Sequence, residues 1–423
     1  MKRTAGSRGP ISVLWSALLV VPAACGGLGS TPPAPQVRPG LEVFLAEPPA
    51  WIVGKRIGLI TNHTGIDLAG RRNIDRIMAH PELKLTTLFA FEHGLRGVAP
   101  PGAKIDSGTD EATGLPVHSL YGEVRKPTPE MLRDVDVLMY DVQDIGARPY
   151  TRVSTMVLSM QAAAEKGIPF VVLDRPNPLG GVEVEGNLLE PAFASFVGMY
   201  PIPLRHGMTV GELARMYNRE HGIGAELTVI PVAGWKRDMW LPETGMPWVG
   251  TSPNIQRMDA GLLYPGTVLL EGTNLSEGRG TRFPFEQTGA PWLRAAEVAD
   301  SMNALGLPGV RFEAIEMEIA PDAGKYGGQT VPAVRILVID RDRVRPVLTA
   351  VRLIDVIRRL HPDDFAWRGA NQREPTMLTI DRLAGTDRLR KSIEAGTLEE
   401  YLESWAADEA RHRAIRAAYL LYD

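Results

Sequence analysis

Residues 169–174 read PFVVLD, an apolar run with no polar face, and a strand of that kind is stable only when both of its sides are covered. Helical stretches flank it. One, at 154–165, is amphipathic; the other, at 209–220, opens on Thr209 with Glu212 three residues on, the pattern of a capping box. Short β-rich runs recur at 56–62, 83–91, 136–141 and 227–232, with a further helix at 73–78. Strands alternating with helices predict an α/β fold with a doubly wound, mostly parallel sheet, whose ligands bind beyond the carboxyl ends of the strands.

Beyond residue 284 the pattern changes. A helix is expected over 292–305, longer strands over 310–319 and 331–339, and a helix over 346–359 with Pro346 in its first turn. The C-terminal stretch 397–421, rich in Ala, Glu and Arg, reads as helical. A chain of 423 residues is long enough for two cores. The expectation is a catalytic domain over 41–284, a smaller C-terminal α/β domain over 285–423, and a cleft between them.

Lys2, Arg3 and Arg8 precede an apolar stretch at 11–24 that is too short to span a bilayer, which is the pattern of an export signal over 1–25. Cys25, the only cysteine, closes the sequence VPAAC and resembles a bacterial lipoprotein box, with Pro22 a departure from it. Lipidation of Cys25 and plain signal cleavage are the two readings. Either places the protein outside the cytoplasm, in the periplasm or cell envelope, with a lipid anchor its sole tie to the membrane. Residues 26–40 (GGLGSTPPAPQVRPG) read as a flexible linker. With one cysteine no internal disulfide forms, and a net charge of −4 gives no general attraction to nucleic acid.

Unusual polar residues gather where the predicted strands end. FEHGLRG (91–97) supplies Glu92, His93 and Arg96, and DVQDIGARPYT (141–151) supplies Asp141, Asp144, Arg148 and Tyr150. DRPNPLGG (174–181) carries Asp174, Arg175 and Asn177, and TSPN (251–254) carries Asn254. LEGTNLSEGRGT (270–281) adds Glu271, Asn274, Ser276, Glu277 and Arg279. No G-x-G-x-x-G follows the first strand, and there is no G-x-x-x-x-G-K-[ST], H-E-x-x-H or G-x-S-x-G. Adjacent on one strand, Glu92 and His93 would face opposite ways, so no metal pair is expected there. Carboxylates, amides, arginines and aromatics suit a polyhydroxylated substrate, and glycosidic cleavage needs an acid.

These five motifs resemble the exo-β-N-acetylmuramidases of glycoside hydrolase family 171, formerly a domain of unknown function, from about Leu41 to the C-terminus. The resemblance implies a Rossmann-like first domain, a C-terminal α/β domain and a cleft between them. It also implies a hydrolase that works without cofactor or metal, releasing terminal β-linked N-acetylmuramic acid from peptidoglycan fragments in cell-wall turnover. The family's favoured catalytic residue, the Glu of its EHG motif, falls on Glu92. Phe91, Leu95 and Arg152 depart from the family pattern, which usually has Pro, Phe and an aromatic there. On this reading Glu92 is the general acid and His93 orients it or touches substrate, while Asp141, Asp144 or Glu277 supplies a second carboxylate. Arg96, Arg148, Arg175 and Arg279 are candidates for the lactyl carboxylate of the sugar. Arg279 is the first choice, against the alternative that it only bridges Glu271 or Glu277. The competing function is a non-catalytic exported lipoprotein that binds muropeptides or sugars.

Overall fold

The computed structural model describes residues 37–97, 107–371 and 375–423, so Cys25 and the expected export signal lie outside the described residues. Strands β1 (Arg56–Thr61), β2 (Lys84–Ala90), β3 (Gly108–Thr109), β4 (Pro116–Ser119), β5 (Val137–Asp141), β6 (Phe170–Leu173) and β7 (Leu227–Ile230) form one sheet in the order β3-β4-β2-β1-β5-β6-β7. Every neighbouring pair is parallel except β3 with β4. Helices α1 (Gly40–Ala46) and α2 (Asn73–Met78) cover one face, α3 (Arg152–Lys166) and α4 (Val210–Glu220) the other. The pleat explains the division: Val137 and Met139 pack with Leu41, Phe44 and Ile77, whereas Leu138 and Tyr140 pack with Met156, Met160 and Leu213. The expected capping box at Thr209 and Glu212 is formed.

The second sheet is antiparallel, with β8 (Gln287–Gly289), β9 (Val310–Glu318) and β10 (Thr330–Val338) in the order β8-β10-β9. Around it stand α5 (Met258–Thr267), α6 (Ala295–Ala304) and α7 (Pro346–Leu360), followed by α8 (Thr379–Ala384), α9 (Arg388–Ala395) and α10 (Leu398–Arg416). Gly266 lets α5 lie directly on the start of α7, since a Cβ there would come within 1.9 Å of the Pro346 carbonyl oxygen. The core of this part also takes in Ile145, Ala147, Leu179 and Leu204 from the loops of the first sheet, so one apolar cluster joins the two.

Near the two ends of the fold the structure differs from the sequence reading. The last residues of the expected linker are packed: Val37 is buried, Arg38 pairs with Ala233, and the Gly40 amide donates to the Asp174 carbonyl. At the other end α10 stops at Arg416, and the tail folds back onto the first sheet. There Arg215 donates to the Tyr419 carbonyl, the Leu421 amide to Glu212, and the Tyr422 hydroxyl to Asp174. Tyr422 also meets Trp235 edge to face, in the small cluster that holds Val37.

Candidate active site

The site grows from the carboxyl ends of β2, β4 and β5. Past β2 the chain does not continue as a strand but turns, with His93 at a φ of 71° and Gly94 at 70°. Glu92 and His93 therefore line one cavity instead of pointing to opposite faces, which corrects the strand-based expectation. A non-glycine residue in the left-handed region is uncommon, and such positions concentrate at functional sites. Beyond β4 stands Tyr121, and beyond β5 the segment entering α3 contributes Pro149, Tyr150 and Thr151. The facing wall comes from the second part of the chain: Ser252, Tyr264 on α5, Glu271, Arg279, Phe285 and Arg382 on α8. The cavity volume is about 250 Å³.

Glu92 is held from two sides. The Tyr121 hydroxyl donates to its Oε1 at 2.9 Å, and the Thr151 hydroxyl lies 3.5 Å from its Oε2. Across the cavity, Arg279 Nη2 donates to Glu271 Oε1 at 2.7 Å while its Nε pairs with Glu277 Oε1 at 3.0 Å. Glu277 in turn accepts from Lys325 Nζ at 3.0 Å. Burial opposes the charge on Arg279, but the two carboxylates outweigh it and hold the guanidinium above its usual pKa. Burial pushes the Tyr264 and Tyr150 hydroxyls up, so both stay neutral at ordinary pH. Arg152, one of the departures from the family pattern, stacks 4.8 Å above the Tyr150 ring and donates to the Gln143 carbonyl, which fixes that part of the wall.

Of the residues singled out in the sequence, Glu92, His93, Tyr150, Glu271 and Arg279 line the cavity. The others are occupied elsewhere. Asp141 and Arg175 form a buried ion pair at 2.6 Å, with Asn73 donating to the same carboxylate. Asp174 accepts from Thr209, the Gly211 amide and Tyr422; burial nevertheless pushes its carboxyl up to about 6. Asp144 accepts from the Gly146 amide and sits 3.4 Å from His206, away from the cavity wall. Asn177 bridges Met208 and Leu179, and Asn274 bridges Asp364 and Ala366. Ser276 accepts from the Gly278 amide, Asn254 sits in the turn bracketed by Ser252 and Ile255, and exposed Arg96 reaches Asp110 at 3.5 Å. Asp141, Asp144 and Glu277 are thus replaced by Glu271 as the carboxylate that shares the cavity with Glu92.

Arg148 is a structural residue. Its two terminal nitrogens donate to the carbonyls of Asn187, Ile202, Leu383 and Ala384, tying the first sheet's loops to α8. Burial lowers its pKa to about 10. Arg148→Ala is expected to destabilise the protein by at least about 3 kcal/mol, because several buried carbonyls lose their donor. Urea unfolding reads this directly, and a change under about 1 kcal/mol would show that water replaces the guanidinium.

Sequence reasoning overlooked Tyr121, Arg125, Thr151, Phe196, Tyr264, Phe285, Asn371 and Arg382, all of which line the cavity. Thr151 was within reach, as the last residue of its motif. Arg125 stacks 4.1 Å over Phe196, a pairing across 71 positions that no local pattern announces. Among the described residues no three His, Cys, Asp or Glu side chains converge to hold a metal ion.

Residues 57–259 match the family described as Exo-beta-N-acetylmuramidase NamZ, N-terminal, and residues 262–422 match its C-terminal counterpart. The chain belongs to the exo-β-N-acetylmuramidase family. Within it, this chain is 45% identical over 389 residues to Peptidoglycan beta-N-acetylmuramidase NamZ of Bacillus subtilis (strain 168), covering 92% of each protein. Two crystal structures of DUF1343 family proteins from Bacteroides fragilis NCTC 9343 share the fold. One is 36% identical with a TM-score of 0.83, the other 30% with 0.69; each comparison covers 92% of this chain and 99% of the other.

Proposed function

We propose that this protein is an exo-acting glycosidase that releases terminal β-linked N-acetylmuramic acid from peptidoglycan fragments. Glu92 is its general acid and Glu271 the second carboxylate. The observation that carries the assignment is the shared cavity: Glu92 and Glu271 are the carboxylates of its described wall, one held by Tyr121 and the other by Arg279. A volume of about 250 Å³ lies below the roughly 300–1,000 Å³ of most ligand pockets, which suits one end residue better than a run of glycan. Tyr150, Tyr264, Phe196 and Phe285 make part of the wall aromatic, which suits the apolar side of a sugar. Glu92 protonates the departing glycosidic oxygen while Glu271 acts at the anomeric carbon or on the attacking water. Arg279, already matched by two carboxylates, takes the loop-fixing role and aims Glu271. The test is incubation with a muramic-acid-terminated disaccharide. Free N-acetylmuramic acid should accumulate, whereas binding without release would make the protein a carrier.

The sequence around Cys25 supports export to the periplasm or cell envelope and lipid attachment at that residue. Among the described residues no helix is long and apolar enough to cross a membrane. Cys25→Ser is expected to move the protein from the membrane fraction to the soluble exported fraction, since stable retention needs more than one acyl chain. An unchanged distribution would favour plain signal cleavage.

A further inference from the structure

A carboxylic acid that must deliver its proton in one direction has two oxygens to carry it. Something has to favour one of them. In Glu92 the two oxygens stand in different surroundings: Oε1 accepts from the Tyr121 hydroxyl at 2.9 Å, while Oε2 has the Thr151 hydroxyl at 3.5 Å, the outer limit of a hydrogen bond.

Tyr121 is set in place by the end of the short strand β4. The Leu120 amide donates to the Ala90 carbonyl at 2.7 Å, which carries the β2–β4 pairing one residue past the strands. Ser119 then brackets Tyr121, its hydroxyl accepting from the Tyr121 amide and donating to the Tyr121 carbonyl. Glu92 is fixed in the same way on the neighbouring strand end, inside a turn closed by the Gly94 amide on the Phe91 carbonyl at 2.8 Å. The contact between the two side chains is thus built from the main chain of adjacent strands.

We propose that Tyr121 is a positioning residue that keeps the Glu92 proton on Oε2, aimed at the leaving oxygen; this rests on Glu92 being the acid. With Oε1 occupied by a donor, the proton resides on the other oxygen. As it passes from Oε2 to the glycosidic oxygen, Glu92 becomes a carboxylate and the bond from Tyr121 becomes charge-assisted. The contact is therefore stronger in the transition state than before it, which is the condition for raising the rate.

The experiment compares two leaving groups. A sugar alcohol, as in the natural disaccharide, needs a proton to depart; dinitrophenolate does not. Tyr121→Phe should lower kcat/KM on the disaccharide by about 10- to 100-fold. On a dinitrophenyl muramide it should stay within about threefold of the unaltered enzyme, and that retained rate also reports an intact cavity. Equal losses on both substrates would mean that Tyr121 only shapes the wall, and no loss on either would mean that it does nothing for the proton; each overturns the proposal. Glu92→Gln, run in parallel, separates the two ideas. If it shows the leaving-group-selective loss and Tyr121→Phe does not, only the role of Tyr121 falls. If Glu92→Gln loses equally on both substrates, the acid assignment falls and this inference with it.

Discussion

Glu92→Gln is expected to reduce turnover of the natural disaccharide by about 10²- to 10⁴-fold, the usual worth of a general acid. The amide has the shape of the carboxyl group, and its oxygen still accepts from Tyr121, so the cavity and its affinity for sugar should survive. What is lost is the transferable proton. Retention of more than about a tenth of the original rate in the purified variant would remove Glu92 from the role. Binding of free N-acetylmuramic acid, measured calorimetrically, should change little and serves as the control for folding.

Glu271→Gln should be as damaging, with a different signature. A carboxylate that stabilises the anomeric carbon, attacks it or activates water is needed whatever the leaving group. The variant should therefore lose at least about 10²-fold on the disaccharide and on the dinitrophenyl substrate alike. Arg279 would keep Glu277 as a partner, so the loop should hold its place. A variant that cleaves the activated substrate normally would show that Glu271 is no second carboxylate and that Arg279 merely closes a loop through it.

The sequence reading succeeded where one residue type implies one environment. Strand β6, apolar at every position, is buried along its whole length, so its parallel, two-faced setting was legible in the chain itself. β3 and β4 were not foreseen, being strands of two and four residues, too short for any alternation to register. α5 was missed for a different reason: Pro265 and two glycines within it argue against a helix, and packing against α7 overrides them. In the site, the same logic separates hits from misses. Glu92 and Glu271 stood out as charged residues at chain turns. So did Asp141, Arg175, Asp174 and Arg148, whose polarity is taken up inside the protein by partners 34 to 248 positions away. A single chain read in order shows that a group is polar; which partner satisfies it is decided by the fold.

The tail that carries Tyr422 back to Asp174 sets the order in which this protein can be finished. The last strand of the parallel sheet ends at Ile230, yet that edge is closed by Tyr422, 190 and 248 positions beyond the groups it binds. Until the tail arrives, Asp174 lacks the Tyr422 hydroxyl, Glu212 lacks the Leu421 amide, and Trp235 lacks its ring neighbour. A chain cut before Leu421 would leave Asp174 and Glu212 without these partners, so the damage would appear at the strand ends and not at the break.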